Sequence, residues 1–407
     1  NTLRATSALI ARKTHDYDCR MSEAAWSKWL HGGPGGSIGR HHRLTKVNGG
    51  WVPSPSFPTP DEPEAMEHTE DEEEVTENQL AFSLIQPMSP QNEANSEAIK
   101  WGKEWNVGGA PVDMPWPALC WTNDVPAVIV AVMHSAALSF PTGTGLGWDK
   151  LHPRALLRLP SQAIEALVRI CIIAEILSTW PGAIGIVLIC LIPKSDGGRR
   201  PIGLLPSIIR WWMRARLDIV RAWQAAHERI YFYAGAGKSA KVASWKQAAR
   251  AELAQAIPGI DYAGSLLDMV KAFERVPLDW LIRQGKKYSY PMQILALSIR
   301  AYQLPRTILI DGVCSTLVLA RRGITAGSGH ATIELRLLLI QWVDETLTLY
   351  MVTISIYVDD ASIETAGSSE FVRYHVAGAT KHFTSQMRAI GMEWSPTKNA
   401  MLAAKKD

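Results

Sequence analysis

The chain has 407 residues, room for two or three domains, and 47% of them are apolar, enough for a sizeable core. Its formal charge of +3 does not by itself announce a phosphate-rich partner. The five cysteines, Cys19, Cys120, Cys171, Cys190 and Cys314, form no C-x-x-C pair, which argues against a disulfide framework or a zinc knuckle and makes a reducing compartment the default.

Residues 1–100 read as low-complexity and largely disordered. They hold a glycine-rich run (Gly32, Gly33, Gly35, Gly36, Gly39), a proline-rich run (Pro53, Pro55, Pro58, Pro60, Pro63) and ten acids within 61–77. Such segments bury too little apolar surface to offset chain entropy. Without those ten acids, 42 bases face 29, a surplus of 13 that suits a polyanion. His15 and Cys19, near His31, His41 and His42, lack zinc-ligand spacing. No secretory signal is visible, and the compartment is expected to be intracellular, nucleus or cytoplasm. The first residue is Asn1 rather than Met, so the chain is expected to be a fragment.

Residues 101–182 read as a helical extension. Within 151–178, Leu156, Leu159, Ile164, Leu167, Ile170, Ile173, Ile176 and Leu177 recur at helical spacing. Arg169, Glu175 and the Pro181–Gly182 break interrupt the apolar stretch 163–193, leaving a run from 183 to 192 that is too short to span a bilayer. Residues 185–192 read as a buried strand and 194–198 as a turn. Helices follow over 207–226, with Trp211, Trp212 and Trp223 as core, and over 239–256, before Pro258. Residues 262–269 read as a strand and 277–284 as the start of a helix. A hairpin is expected from 308–310 and 316–319 around Asp311–Gly312. Residues 332–347 read as a helix. Strands over 352–357 and 361–365 flank Asp359–Asp360, placing two acids at a hairpin tip. Residues 371–390 read as a helix capped by Gly391.

Four segments carry chemistry. In SIYVDD (355–360), two adjacent acids at a turn repel each other unless something positive sits there, such as a divalent cation. In SLLDMVKAFERV (265–276), an apolar strand ends in Asp268 and an aromatic residue follows five positions later. RRGITAGSG (321–329) is a glycine-rich turn that lets backbone approach a ligand closely. LIPKSDGGRRPI (191–202) is a basic turn suited to phosphate through charge-assisted hydrogen bonds. YAGAGKS (233–239) ends like a P-loop, but Phe232 stands where the first glycine belongs, and a nucleotide-hydrolase reading carries little weight.

Taken in order, these segments resemble the reverse transcriptase family, most of all the polymerase of non-LTR (LINE-like) retroelements. The 191–202 turn resembles the fingers motif, and residues 233–239 sit where the family has its Q-x-G-F segment. LLDMVKAFERV resembles motif A, RRGITAGSG motif B and YVDD motif C. IGMEWSPTKN (390–399) resembles motif D. The likeness covers about 147–398. It implies an α+β fold, the fingers (183–262) and palm (263–407) of a right-hand polymerase, with the palm an antiparallel sheet packed on helices.

The resemblance also implies RNA-directed DNA polymerase activity, with two Mg²⁺ ions, or Mn²⁺ in their place, joining dNTPs to a DNA primer on an RNA template. It assigns catalytic roles to Asp268, Asp359, Asp360 and Lys398. Metal contacts fall to Asp268, the Met269 carbonyl, Asp359 and Asp360, and substrate contacts to Lys194, Arg199, Arg200, Phe273, Gly327 and Tyr357. Phe273 would exclude a 2′-hydroxyl, and Lys398 would protonate pyrophosphate. The chain departs from the family at Ala326, where motif B has glutamine, and at Glu274, where motif A has a second aspartate. No thumb or endonuclease segment is recognisable. Two other readings remain: an RNA-directed RNA polymerase, against which Val358 and Phe273 stand, and an inactive polymerase-like nucleic-acid-binding fragment.

Overall fold

The computed structural model describes residues 89–106, 125–194, 198–235 and 237–404. The glycine-rich, proline-rich and acidic runs of the N-terminal region lie outside them. Of the described residues, those within Leu191–Pro201 fall in a smaller unit and the rest in a larger one.

In the larger unit the chain opens with α1 (Pro90–Glu104), which overlaps the end of the stretch 1–100 whose composition suggested disorder. Ser89 caps this helix by accepting from the Asn92 N–H at 3.3 Å, and Pro90 takes the first turn, where no amide is needed. Ala94, Ala98 and Trp101 bury one face. Next come α2 (Val130–Leu138), a 3₁₀ stretch Pro153–Arg158 and α3 (Ser161–Leu177). The expected helix over 151–178 is therefore two pieces, because Pro160 lacks the amide that a continuous helix requires.

β1 (Val187–Pro193) and β2 (Arg199–Leu204) follow, then α4 (Ser207–Ala226) and α5 (Ala240–Ala256). Trp211, Trp212 and Trp223 of α4 are core residues. β3 (Asp261–Asp268) leads into a single helical turn, α6 (Ala272–Arg275). Then come α7 (Leu278–Lys287), α8 (Met292–Tyr302), β4 (Arg306–Ile310) and β5 (Val313–Cys314). The β4–β5 turn is Asp311–Gly312, both at positive φ, as a tight hairpin demands. α9 (Ala331–Leu349) is apolar on nearly every side and forms the central helix. β6 (Thr353–Tyr357), β7 (Asp360–Gly367), α10 (Ser369–Ala389) and β8 (Ala400–Ala404) complete the unit.

The fold is α+β, with an antiparallel sheet packed on helices. That sheet has strand order β6-β7-β3-β8, and each neighbouring pair is antiparallel. The second sheet has order β2-β1-β4-β5 and is mixed, since β1 and β4 run parallel through Val187–Cys190 against Arg306–Leu309. One face of the antiparallel sheet buries Leu267, Ile354, Ile356, Ala361 and Ile363. Val372, Val376, Ala379, Phe383 and Met387 of α10 form a buried stripe at helical spacing, and this helix packs on β3 and β7. Burying a side chain the size of Phe383 or Met387 contributes about 1.5–3 kcal/mol. α5 lies against β3, β6 and β7. Arg250 on it pairs with the buried Glu364, which also accepts from the Tyr262 hydroxyl. Among the described residues no helix is long and apolar enough to cross a membrane.

Candidate active site

The antiparallel pair β3–β7 runs in register from Asp261 opposite Gly367 to Asp268 opposite Asp360. Directly opposed residues stand about 4.5–5.5 Å apart at Cα and project to one face. Asp268 and Asp360 therefore share a face at the end of the sheet, although they are remote in sequence. Tyr357 is the β6 partner of Asp360 and projects to that face too. Val358 and Asp359 make the two-residue turn between the strands. Val358 holds a φ of +62°, a left-handed backbone unusual for a β-branched side chain. Asp359 is at the tip.

The segment after α10 wraps the end of β3. The Asp268 N–H donates to Asn399 Oδ1 at 2.9 Å, and the Asp268 carbonyl accepts from the Ser395 N–H at 2.8 Å. Met269 is buried and bridges to Trp394. Lys398 Nζ lies 3.7 Å from Asp268 Oδ2. A groove of about 250 Å³ runs below, lined by Asp268, Tyr357, Asp360 and Lys398, by Ser355 and Ser362 of the strands, and by Ser244 and Gln247 of α5. The serines were not among the expected site residues. Their signal was present, because Ser355 and Tyr357 alternate with the apolar Ile354 and Ile356.

Phe273 sits on α6, half-buried, and its carbonyl accepts from the Ile324 N–H at 2.8 Å. The Gly323 N–H donates to the Val276 carbonyl at 2.8 Å, so the turn at 321–329 clasps α6 from both ends. Gly323 has φ +93°, and a Cβ there would meet the Glu274 carbonyl oxygen at 2.5 Å. Arg322 is buried and donates through Nε to the Arg275 carbonyl at 3.0 Å and through Nη2 to the Gly391 carbonyl at 3.1 Å. Arg275 pairs with Glu393 and, at 3.0 Å, with Glu104 of α1. Glu104 also reaches Lys271 Nζ at 2.7 Å. These bonds tie α1, α6, the turn at 321–329 and the segment 391–393 to one another.

A larger groove, of about 1110 Å³, carries Arg210, Arg214 and Arg221 of α4, Arg336 of α9, and Lys238. Glu228, the acid in its lining, is bridged by Lys238 at 2.6 Å and Arg336 at 2.7 Å. Burial alone would raise its carboxyl, but those two cations outweigh it and hold it below the usual carboxylate range. Burial and then the neighbouring Arg221 push Arg214 below the ordinary arginine range, a mark of cations crowded at one wall. Gly327, φ +115°, lines the same groove, and a Cβ on it would overlap the Gly203 carbonyl. None of the α4 arginines was singled out in the sequence, though Arg210, Arg214 and Arg221 recur on one helical face.

Lys194, Arg199 and Arg200 belong to the smaller unit. Their hairpin is closed by the Lys194 N–H donating to the Gly198 carbonyl at 2.8 Å. Its tip, residues 195–197, lies outside the described residues.

No family model and no curated sequence matches the chain. Among solved structures it is similar to apo telomerase from Candida tropicalis truncated from its C-terminal domain, at 13% identity and a TM-score of 0.42, over 55% of this chain and 51% of that one. It is also similar to apo telomerase from Candida tropicalis, at 12% identity and a TM-score of 0.43, over 55% of this chain and 45% of that one.

Proposed function

We propose that this chain carries the fingers and palm of an RNA-directed DNA polymerase of a LINE-like retroelement, extending a DNA primer with dNTPs on an RNA template. The observation that carries the reading is the opposition of Asp268 and Asp360 across β3 and β7, with Asp359 at the adjoining tip. Asp268, Asp359, Asp360 and the Met269 carbonyl would hold Mg²⁺, or Mn²⁺ in its place. Among the described residues no three His, Cys, Asp or Glu side chains gather closely enough to hold a metal ion by themselves. An open rim of carboxylates nonetheless suits Mg²⁺, which takes one or two of them and shares the rest of its oxygen shell with substrate phosphates. When bound, the ions supply positive charge to the attacking and leaving oxygens of an in-line displacement.

The chain's own residues supply the rest. Lys398, 3.7 Å from Asp268, is the candidate for giving a proton to leaving pyrophosphate. Lys194, Arg199 and Arg200 are the candidates for gripping the triphosphate. Phe273 is the candidate sugar gate. Phe273→Val is expected to raise ribonucleotide incorporation about tenfold relative to deoxynucleotide, an effect worth roughly 1.4 kcal/mol. An unchanged dNTP-to-rNTP ratio removes Phe273 from that role.

The basic groove on α4 suits a strand of the template. Replacing Arg214 and Arg221 by Gln together should lower the slope of log affinity against log salt by about 1.4, or ~0.7 for each lost phosphate contact on a single strand. A slope equal to that of wild type means that the groove does not hold the strand.

Primer extension on primed RNA with dNTPs and Mg²⁺ tests the whole reading. Ala326, in place of the family's glutamine, favours a second reading, a polymerase-like module that binds nucleic acid without turnover. Tight primer–template binding with no Mg²⁺-dependent extension would select it.

A further inference from the structure

Beside the carboxylate rim lies a charged network that the proposed chemistry does not use. Its centre is Glu104, the last residue of α1 and far from Asp268 in sequence. Glu104 Oε1 accepts from Lys271 Nζ at 2.7 Å, and Oε2 accepts from Arg275 Nη2 at 3.0 Å and from its Nε at 3.2 Å. Arg275 also pairs, through Nη1, with Glu393. Two cations and two carboxylates thus alternate, Lys271–Glu104–Arg275–Glu393. Burial alone would raise the Glu104 carboxyl, but the bonds from Lys271 and then Arg275 outweigh it and hold it below the usual carboxylate range. Such a network fixes a geometry where an isolated surface pair does not.

Both ends of the network lead to Asp268. At one end Lys271 has φ +50°, a left-handed backbone that is costly for any residue with a Cβ and persists only where its surroundings impose it. Its side chain is held by Glu104 and by the Trp101 ring of α1, whose centre lies 4.8 Å from Nζ. This bend turns the chain from β3, with Asp268 at its end, into α6 and Phe273. At the other end, Glu393 opens the segment that wraps β3. Its carbonyl accepts from the Val270 N–H at 2.8 Å, and Ser395 and Asn399 bond the backbone of Asp268. α1 is itself anchored. Trp101 and Trp105 are buried, the Trp105 carbonyl accepts from the Arg321 and Arg322 N–H groups at 3.1 and 3.2 Å, and the Arg306 guanidinium lies 4.5 Å from the centre of the Trp105 ring.

We propose that Glu104 is a positioning residue for the reaction: through Lys271 and Arg275 it fixes the turn Met269–Lys271 and the segment Glu393–Asn399 around Asp268, which makes α1 part of the frame of the active site. Without its charge, Lys271 and Arg275 stand one helical turn apart as like charges that repel. Lys271 then loses the bond that holds its left-handed backbone, Arg275 holds Glu393 less firmly, and the chain on both sides of Asp268 loosens.

Hydrogen exchange of Glu104→Ala and of the isosteric Glu104→Gln tests this without metal or substrate. The peptides 266–272 and 392–399 contain the bonded amides of Asp268, Val270 and Ser395. Both peptides should exchange about tenfold faster in Glu104→Ala than in wild type. Glu104→Gln, whose amide oxygen still accepts from one cation, should fall between the two. The peptide 372–387 of α10, which the network does not touch, should be unchanged. If Glu104→Ala does not fold, Glu104→Gln decides. Wild-type exchange at 266–272 and 392–399 overturns the proposal. So does an equal acceleration of all three peptides, because Glu104 would then serve stability alone.

The consequence for catalysis rests on the polymerase reading. In Glu104→Gln the KM for dNTP should rise about fivefold, with the Kd for primer–template unchanged, and neither quantity depends on how much of the protein is folded. A wild-type KM alongside faster local exchange overturns the role in the reaction. Exchange behaviour as expected, with no primer extension by wild type, would mean that the polymerase reading fails while the hold of Glu104 on both segments stands.

Discussion

Asp359→Asn is expected to abolish Mg²⁺-dependent incorporation, by about 10³-fold or more, while leaving the protein folded. A loss of that size corresponds to ~4 kcal/mol of transition-state stabilisation. The argument is geometric. Asp359 stands at the tip of the β6–β7 turn, beside the opposed pair Asp268 and Asp360, and is partly exposed. Asn matches Asp in size, so the substitution removes the charge that the rim can offer a cation while keeping the side chain's volume. Substitutions at such partly exposed positions typically change stability by about 0.5 kcal/mol or less. Asp268→Asn should behave alike, with one difference: Lys398 then loses the carboxylate it faces at 3.7 Å. Single-nucleotide incorporation on a primed RNA, alongside a thermal melt, checks both variants. More than a tenth of wild-type activity in either one, with the same metal, removes that carboxylate from the chemistry.

The second large effect concerns the fold. Glu175 of α3 and Arg216 of α4 form a fully enclosed ion pair, each 3% exposed. Arg216 Nε and Trp212 Nε1 both donate to Glu175 Oε1 at 2.6 Å, Arg216 Nη2 reaches Oε2, and Nη1 donates to the Pro126 carbonyl. Every polar atom of the pair is thus bonded, which is what makes two charges tolerable at this depth. Glu175→Gln leaves a guanidinium buried without a counter-charge, at a cost of about 3–5 kcal/mol. The denaturant midpoint should fall accordingly with an unchanged slope. Glu175→Leu combined with Arg216→Met should recover most of the loss, because the pair stabilises little more than a well-packed apolar substitute would. A shift below ~1 kcal/mol in Glu175→Gln would mean that water reaches Arg216.

Both effects involve residues visible in the sequence, but at different levels. Asp359–Asp360 stood out as paired acids between two β-rich runs. Glu175 stood out only as an interruption in an apolar stretch, and its partner, one helix further on, could not be named. The same contrast holds for the elements. α4, α5, α9 and α10 follow from apolar spacing, Ser or Gly boundary residues and the positions of proline, all of which act within a few residues. α8 was missed because it is buried on all sides and shows no polar face by which its period could be recognised. β8 was missed because AMLAA has no alternation, and its strand state depends on pairing with β3.

Local patterning therefore determined where most helices and strands lie, which turn carries the paired acids, and which residues interrupt the apolar runs. Tertiary structure alone decided that Asp268 meets Asp360, that the arginines of α4 share a groove with Gly327, and that Glu104 reaches Glu393 through Arg275. The reason is physical. Period and capping are set by neighbours along the chain, whereas register between distant strands and the depth of a buried carboxyl are set by which surfaces pack, and no short window of sequence contains both partners.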